Sequence, residues 1–257
     1  MRENVIVAEA LSFAFAHEYP VLNNVAISIS DEVVAITGAS GSGKTTLLLC
    51  LAGILVPSSG KITINGNVLH SANSEERSRI RRENLGLVFQ NNELVAELSL
   101  LENTALPLEL LGQSRKIARR EAHDLLGELG VGEIADRYPA QVSGGQAQRA
   151  AVARALVHRP AAVLADEPTG ALDAANSEKV LQLLITAARQ RAVAVVLVTH
   201  DQTVAAHADR TIDCSTLSTA PASTVETSTP EAKAKPPSLR RDSRLTQQDM
   251  SATTDAK

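Results

Sequence analysis

Short apolar runs alternate with amphipathic stretches along most of the chain, and this alternation predicts the order of the elements. Four runs are almost entirely apolar, as in strands buried on both faces of a parallel sheet: 33–37, 85–89, 161–165 and 192–198. Three earlier runs have the strand pattern of an antiparallel sheet at the edge of the molecule: 5–7, 25–29 and 60–64. Helical stretches at 146–158 and 176–190 separate the later runs, which indicates an α/β fold.

In the middle of the chain the apolar positions recur with the period of helices instead of strands. Ser99 and Glu102 have the spacing of a capping box, so a helix is expected to begin there. A second helix is expected at 114–129, with three residues on its buried face: Ile117, Leu125 and Leu129. These two helices predict an inserted helical subdomain at about 91–142.

Composition limits the size and chemistry of the domain. Of the 257 residues 44% are hydrophobic but only 2% aromatic, so the core is expected to be aliphatic. The segment 215–257 is rich in Ser, Thr, Ala and Pro and lacks aromatic residues, which predicts a disordered tail behind one domain at 1–214. A formal net charge of −4 gives no basis for a broad electrostatic affinity for nucleic acid.

The cellular compartment is predicted from the cysteines and the apolar runs. Cys50 and Cys214 show no metal-binding spacing and are expected to be thiols in a reducing cytoplasm. No apolar run approaches the ~18 residues of a membrane-spanning helix. Glu9 interrupts the apolar stretch near the N-terminus, which therefore predicts a strand and not a signal peptide. The chain is expected to stay in the cytosol.

The strongest chemical signal is Gly-Ala-Ser-Gly-Ser-Gly-Lys-Thr at 38–45, between a predicted strand and a predicted helix. Its glycines let backbone N–H groups surround a phosphate, and the following helix adds the positive end of its dipole. Lys44 is expected to reach the β- and γ-phosphates of a nucleotide, and the Thr45 hydroxyl to bind Mg²⁺.

Four polar residues follow the ends of other predicted strands. Asp166 is placed to hold Mg²⁺ through water, and Glu167 to orient and polarise an attacking water molecule. His200 can contact the γ-phosphate, and Gln90 directly follows the run at 85–89. Each alone is also an ordinary polar residue at a strand end, so the functional interpretation depends on their occurrence together with the phosphate-binding loop.

A second anion site is predicted where Ser143-Gly144-Gly145-Gln146 begins a helix. Its groups are a hydroxyl, two unhindered backbone amides and a helix N-terminus. By itself, Ser-Gly-Gly is also common as a simple helix cap. Because this site has no lysine, the pair of sites favours a head-to-tail dimer in which each nucleotide is shared between two subunits.

Together these motifs resemble the nucleotide-binding subunits of ATP-binding cassette (ABC) transporters, from about Leu11 to Asp213. The resemblance implies an α/β P-loop NTPase fold with a parallel core sheet, an N-terminal antiparallel β-subdomain and an inserted α-helical subdomain. It implies ATP and Mg²⁺ as cofactors. The nucleotide-binding positions that it implies are Phe15, Gly38, Ala39, Ser40, Gly41, Ser42, Gly43, Lys44, Thr45, Thr46, Ser143, Gly144, Gly145 and Gln146.

The resemblance also implies roles for single residues. Phe15, where the family usually has tyrosine, would stack on adenine. Residues 162–166 would be the Walker B strand, and 171–173 the D-loop. The implied metal-binding positions are Thr45, Gln90 and Asp166. The implied catalytic positions are Glu167 as the catalytic glutamate, His200 as the switch histidine and Gln90 as the Q-loop glutamine.

Two stretches, 97–108 and 164–173, resemble one subgroup that includes lipoprotein-releasing, macrolide-exporting, antimicrobial-peptide-resistance and cell-division ATPases. The resemblance implies an ATPase that works as a head-to-tail homodimer at the cytoplasmic face of the cell membrane. Its partner would be an integral membrane permease, powered for export, lipoprotein extraction or transmembrane mechanical signalling.

The alternative is a soluble ABC ATPase that acts on DNA or ribosomes. Such proteins carry coiled coils or zinc modules between the motifs, or two cassettes in one chain. This sequence has one cassette, about fifty residues between Gln90 and Ser143, and no basic patch. The transporter interpretation is therefore favoured, with no nucleic acid as a partner.

Overall fold

The computed structural model describes residues 4–15 and 20–217, and the strands of this part form two sheets. The described residues belong to the unit Met1–Ala220. The first sheet contains β1 (Ile6–Phe13), β2 (Leu22–Ile29), β4 (Ser59–Ile64) and β5 (Asn67–Val68). Its order is β2-β1-β4-β5 and its pairings are antiparallel. The predicted antiparallel sheet is therefore present.

The second sheet contains β3 (Val33–Thr37), β6 (Leu85–Phe89), β7 (Ala162–Asp166), β8 (Ala194–Val198) and β9 (Arg210–Asp213). All of its pairings are parallel, in the order β6-β7-β8-β3-β9. The four apolar runs are thus strands of one parallel sheet, as predicted. Parallel strands place their carboxyl ends at one edge, which is where the polar residues that follow them meet.

Helices connect the strands and cover the parallel sheet. Their bounds are α1 (Lys44–Leu51), α2 (Ser74–Asn84), α3 (Leu100–Leu110), α4 (Arg115–Glu128), α5 (Gly144–Leu156), α6 (Ala174–Gln190), α7 (Gln202–Ala205) and α8 (Cys214–Leu217). Two short 3-10 turns lie at Gly132–Ile134 and Pro139–Gln141. Among the described helices, none is long and apolar enough to cross a bilayer.

The central strand β8 shows why these runs are apolar at every position. All five of its residues are buried. Val195 and Leu197 pack in the cluster formed with α3 to α6, whereas Val196 and Val198 pack with α1 and the antiparallel sheet. Because successive side chains of a strand point to opposite faces, a strand covered on both faces has no position for a polar side chain.

Helix α2 was not predicted from the sequence. Its N-cap is Asn73, whose side chain accepts a hydrogen bond from the backbone N–H of Glu76 at 2.9 Å. Only Ile80 and Asn84 of this helix are buried. A single buried apolar residue produces no periodicity, so the pattern of apolar positions carried no signal for it.

The two predicted helices of the middle segment are α3 and α4. The capping box is confirmed: Ser99 Oγ accepts from the Glu102 N–H, and Glu102 Oε2 accepts from the Ser99 N–H, both at 3.2 Å. The prediction for Ile117 was wrong, since it is 45% exposed. Helix α4 buries Ala118 and Ala122 instead, because small side chains let it pack closely in the cluster with α3. The subdomain limits at about 91–142 stay a prediction.

At the C-terminal end, α8 extends past the expected domain limit of 214 and includes residues 215–217. The remainder of the predicted tail, 218–257, lies outside the described residues. The limits 1–214 and 215–257 stay predictions.

Cys50 and Cys214 are both buried free thiols, and burial raises the pKa of Cys50 to about 12.

We predict that Gly86→Ala destabilises the protein by about 3 kcal/mol or more, the upper part of the range for overpacked sites. A methyl group at Gly86 would overlap the backbone carbonyl of Ala155, where β6 and α5 approach each other. Gly127→Ala in α4 is the matched control, since its methyl group would have open space. This control should gain about 0.5–1 kcal/mol from helix propensity. Urea unfolding measures the free energy of unfolding of both variants and of the wild type. A Gly86→Ala protein as stable as the wild type would contradict the prediction.

Candidate active site

The carboxyl ends of β3, β7 and β8 surround a cavity of about 570 Å³. Ile36 pairs with Val198, and Val198 pairs with Asp166, so the three strands end level with one another. The cavity is lined by Phe15, Val21, Ser40, Gly41, Gly43, Lys44, Thr45, Thr46, Asp166, Glu167 and His200. The structure therefore brings together the predicted phosphate-binding loop, the acidic pair and the histidine.

The loop at 38–45 follows β3 and turns directly into α1, which begins at Lys44. Gly43 has a φ of 90°, a left-handed conformation that favours glycine. A methyl group there would also press on Val21 and Leu22 at the start of β2. From the other side, Cys214 Sγ donates a hydrogen bond to the Ser42 carbonyl at 3.2 Å. The loop is thus held between the antiparallel sheet and α8.

Lys44 is buried, with only 8% of the residue exposed. Its Nζ donates to the carbonyl oxygens of Gly38 at 2.8 Å and Ala39 at 2.9 Å, so the ammonium group lies against its own loop. Backbone carbonyls satisfy its hydrogen bonds but do not neutralise its charge. The loop therefore presents a positive charge to the cavity, where it also acts on the carboxyl group of Asp166.

The Asp166 carboxyl group has features that fit a bound cation. Burial raises the pKa of this carboxyl group, and the nearby charge of Glu167 raises it further. The hydrogen bond from the Thr45 hydroxyl and the positive charge of Lys44 lower the pKa and oppose this shift. Its Oδ1 is buried without a hydrogen-bond partner. Oxygen ligands suit Mg²⁺, which usually binds one or two carboxylates together with substrate phosphates. Within the described residues no cluster of three or more His, Cys, Asp or Glu could hold a metal alone.

Glu167 has a left-handed backbone, with φ 45°, and its N–H donates to the Val198 carbonyl at 2.9 Å. Its Oε1 accepts a hydrogen bond from the His200 N–H at 3.1 Å and lies 2.5 Å from His200 Nδ1. Its Oε2 accepts from the Thr199 hydroxyl at 3.2 Å. A strained backbone at a cavity is common at functional sites. Glu167 and His200 therefore form one hydrogen-bonded unit.

An exposed aromatic ring stands at the edge of the cavity. Phe15 is 47% exposed, and its ring meets that of buried Phe13 edge to face at 86°, with the centroids 4.9 Å apart. The edge contact leaves a face of Phe15 available for a planar group. This geometry suits the stacking role expected for Phe15.

Two predicted elements do not line the cavity. Gln90 lies against Gly170, where a methyl group would come within 2.9 Å of its amide nitrogen. Residues 143–146 begin α5 beside Leu172 and Asn176. There Ser143 and Gln146 form a capping box, with Gln146 Oε1 accepting from the Ser143 N–H at 2.9 Å and Ser143 Oγ accepting from the Gln146 N–H at 3.3 Å. Their predicted roles therefore stay predictions.

Sequence reasoning missed Thr199 and two polar residues of α5. Arg154 donates to the carbonyls of Glu93 at 2.7 Å and Asn92 at 3.1 Å, and Gln148 donates to the Phe89 carbonyl at 3.3 Å. These bonds tie α5 to the last residue of β6 and to the segment that follows it. In the sequence, Thr199 is marked only by its position next to His200. The sequence does not show which backbone carbonyls an arginine or a glutamine within a helix will bond.

Comparisons with known proteins show the family of the chain. The family model described as ABC transporter matches residues 22–170. The lipoprotein-releasing system ATP-binding protein LolD of Xanthomonas campestris pv. campestris (strain 8004) is 41% identical over 213 residues, which is 81% of this chain and 89% of that protein. LolD of Bordetella avium (strain 197N) is 44% identical over 191 residues, 74% of this chain and 83% of that protein.

Two solved structures of one bacterial ABC transporter cassette, MJ0796, have the same fold. One is its dimeric structure, and the other is its dimeric post-hydrolysis state bound to ADP and Pi. Each is 36% identical to this chain, with a TM-score of 0.74, and the match covers 81% of this chain and 93% of that chain. The predicted family, fold and ATPase activity are confirmed, and the alternative of an ATPase acting on DNA or ribosomes is not favoured. The chain belongs to the ABC transporter family, as an ATP-binding and ATP-hydrolysing subunit of the LolD subgroup.

Proposed function

We propose that this chain drives lipoprotein release, as the ATPase partner of an integral membrane permease at the cytoplasmic face of the membrane. Relatives that cover most of the chain carry the name of a lipoprotein-releasing system. The observation that carries the ATPase part is the convergence of the loop, Asp166, Glu167 and His200 on one cavity. The same cavity opens beside Phe15, where an adenine ring has room to stack.

Within the cavity each group has a separate task. Backbone N–H groups of residues 38–45 surround the β-phosphate, and Lys44 turns its ammonium toward the β- and γ-phosphates. Thr45 and Asp166 would hold Mg²⁺ together with Gln90, which lies beside the cavity against Gly170, and a bound Mg²⁺ would neutralise charge on the phosphates. Glu167 accepts a hydrogen bond from the attacking water and orients it, and His200 contacts the γ-phosphate.

The second anion site, residues 143–146, completes the nucleotide site of another copy. It offers a helix N-terminus, two glycines and a hydroxyl, but it lies outside the cavity of its own chain. A head-to-tail dimer joins each loop at 38–45 to the 143–146 segment of the partner. The solved cassette with the same fold is a dimer, which supports this arrangement.

Lys44→Ala should abolish turnover, because it removes the one buried cation that faces the phosphates in the described site. We expect at least a hundredfold loss of kcat/KM, which corresponds to about 2.7 kcal/mol. The rate of phosphate release from ATP measures this loss of kcat/KM. Lys61→Ala, an exposed lysine on β4, is the control and should retain wild-type turnover. An active Lys44→Ala protein would contradict the assignment.

Glu167→Gln should keep ATP binding and lose hydrolysis, since only the group that orients water is changed. The variant should accumulate as a dimer in the presence of ATP, because the ATP-bound dimer separates into subunits only after hydrolysis. Sedimentation velocity with and without ATP measures this. A Glu167→Gln protein that binds ATP tightly and stays monomeric would count against the shared-site dimer.

A groove on the surface is the proposed docking site for the permease. It has a volume of about 440 Å³ and lies between α2, β6, α3 and α5. Its lining includes five apolar residues, Leu87, Phe89, Leu106, Pro107 and Leu110, and three arginines, Arg81, Arg82 and Arg154. This suits an amphipathic helix with apolar and acidic side chains. Glu93, three residues after Gln90, also lines the groove, so this segment would link the groove to the nucleotide site through the proposed contact of Gln90 with Mg²⁺.

Cysteine crosslinking tests this docking site. Leu110→Cys places a thiol in the groove, where Leu110 is 56% exposed, and should crosslink to the permease in membranes. Val56→Cys is the control, since Val56 is 51% exposed and does not line the groove. The two native cysteines are buried and give little background. Absence of a Leu110→Cys crosslink with and without ATP, or equal crosslinking from both positions, would contradict docking here.

A further inference from the structure

Thr199 holds the carboxylate of Glu167 from a fixed position in the core. It is 1% exposed and directly follows β8. Its backbone N–H donates to the Ile36 carbonyl at 3.1 Å, which anchors it to β3. Its hydroxyl donates to Glu167 Oε2 at 3.2 Å. The threonine is thus a buried side chain whose polar atom is aimed at the acidic group of the site.

A second hydrogen bond fixes the direction of the Thr199 hydroxyl. The Asp201 N–H donates to Thr199 Oγ1 at 3.0 Å. A hydroxyl has one proton to donate and can accept with its lone pairs. Because the Asp201 amide uses a lone pair, the proton is free to point at Glu167. The Asp201 donor belongs to the backbone, so the hydroxyl is oriented without the help of a second side chain.

The imidazole of His200, which also contacts Glu167, is far more exposed than Thr199. The side chain of His200 is 72% exposed, whereas that of Glu167 is 19% exposed. His200 contacts Oε1 through both its N–H and Nδ1. Turning the imidazole toward a γ-phosphate therefore releases Oε1 from Nδ1. The bond from Thr199 to Oε2 remains, because Thr199 is held by the sheet.

We propose that Thr199 is a positioning residue for ATP hydrolysis, whose hydroxyl keeps Glu167 Oε2 in place while Oε1 becomes available to the attacking water. This inference rests on the proposed function of Glu167. A glutamate side chain has several rotatable bonds, and ordering it costs free energy that a preformed hydrogen bond offsets before substrate arrives. Thr199 acts through Glu167 and touches no part of the nucleotide.

The test is steady-state ATPase kinetics of Thr199→Val, which replaces the hydroxyl by a methyl group of similar shape. A hydrogen bond to a charged group is worth roughly a ten- to hundredfold change in rate. The kcat of Thr199→Val should fall by about that factor, while the KM for ATP stays within about twofold of wild type. Thr199→Ser, which keeps the hydroxyl, should recover kcat to within about threefold of wild type.

Controls separate positioning from general destabilisation. Thr63→Val changes a half-buried threonine of β4 in the antiparallel sheet and should leave kcat unchanged. If Thr199→Val does not fold, Thr199→Cys keeps the volume with a much weaker donor and should show the same loss of kcat. In a Glu167→Gln background, Thr199→Val should cause no further loss of the residual single-turnover rate, because the two residues act together.

The outcomes distinguish this inference from the proposed function. Wild-type kcat in Thr199→Val, together with a large loss in Glu167→Gln, overturns the role of Thr199 alone. Failure of Thr199→Ser to recover activity, or a rise in KM without a fall in kcat, also overturns it. Wild-type turnover in Glu167→Gln instead overturns the proposed function of Glu167.

Discussion

The parallel register of β3, β7 and β8 is the constraint on which the rest of the structure depends. These strands are buried on both faces, so only their carboxyl ends can carry polar groups. A register shift of one residue would move Glu167 by about 3.3 Å. That distance exceeds the length of the hydrogen bonds that join Glu167 to Thr199 and His200. Packing of aliphatic side chains in the sheet therefore sets the geometry of the polar edge that carries Asp166, Glu167 and His200.

Most polar groups of the site already have hydrogen-bond partners within the protein, and a few do not. Lys44 is bonded to two carbonyls, and Glu167 to the chain after β8. Ser42 Oγ and Asp166 Oδ1 are buried with no partner. An unsatisfied buried polar atom costs about 1–3 kcal/mol. The extensive aliphatic core tolerates this cost, and ligand binding would recover it.

Sequence predicted the elements that depend on local pattern and missed those that depend on packing. The four apolar runs, the loop at 38–45 and the capping box at Ser99 are encoded by neighbouring residues. Helix α2 buries little apolar surface, and α4 packs through alanines, so periodicity missed the first and misplaced Ile117 in the second. The convergence of Asp166, Glu167 and His200 followed from parallel strands. The hydrogen bond from the Thr199 hydroxyl to Glu167 depends on the tertiary fold, because the two residues lie at the ends of different strands and far apart in sequence.

Helix α5 joins the two surfaces on which the proposed mechanism depends. Its N-terminus carries Ser143 to Gln146, which in the proposed dimer face a second nucleotide. Further along the same helix, Gln148 and Arg154 bond to the backbone of the segment that contains Gln90 and borders the groove. Helix α5 has 13 residues and no internal proline, so no proline kink separates its two ends. Displacement of its N-terminus by a partner's nucleotide would therefore shift the segment after Gln90, and a helix bound in the groove would move with it.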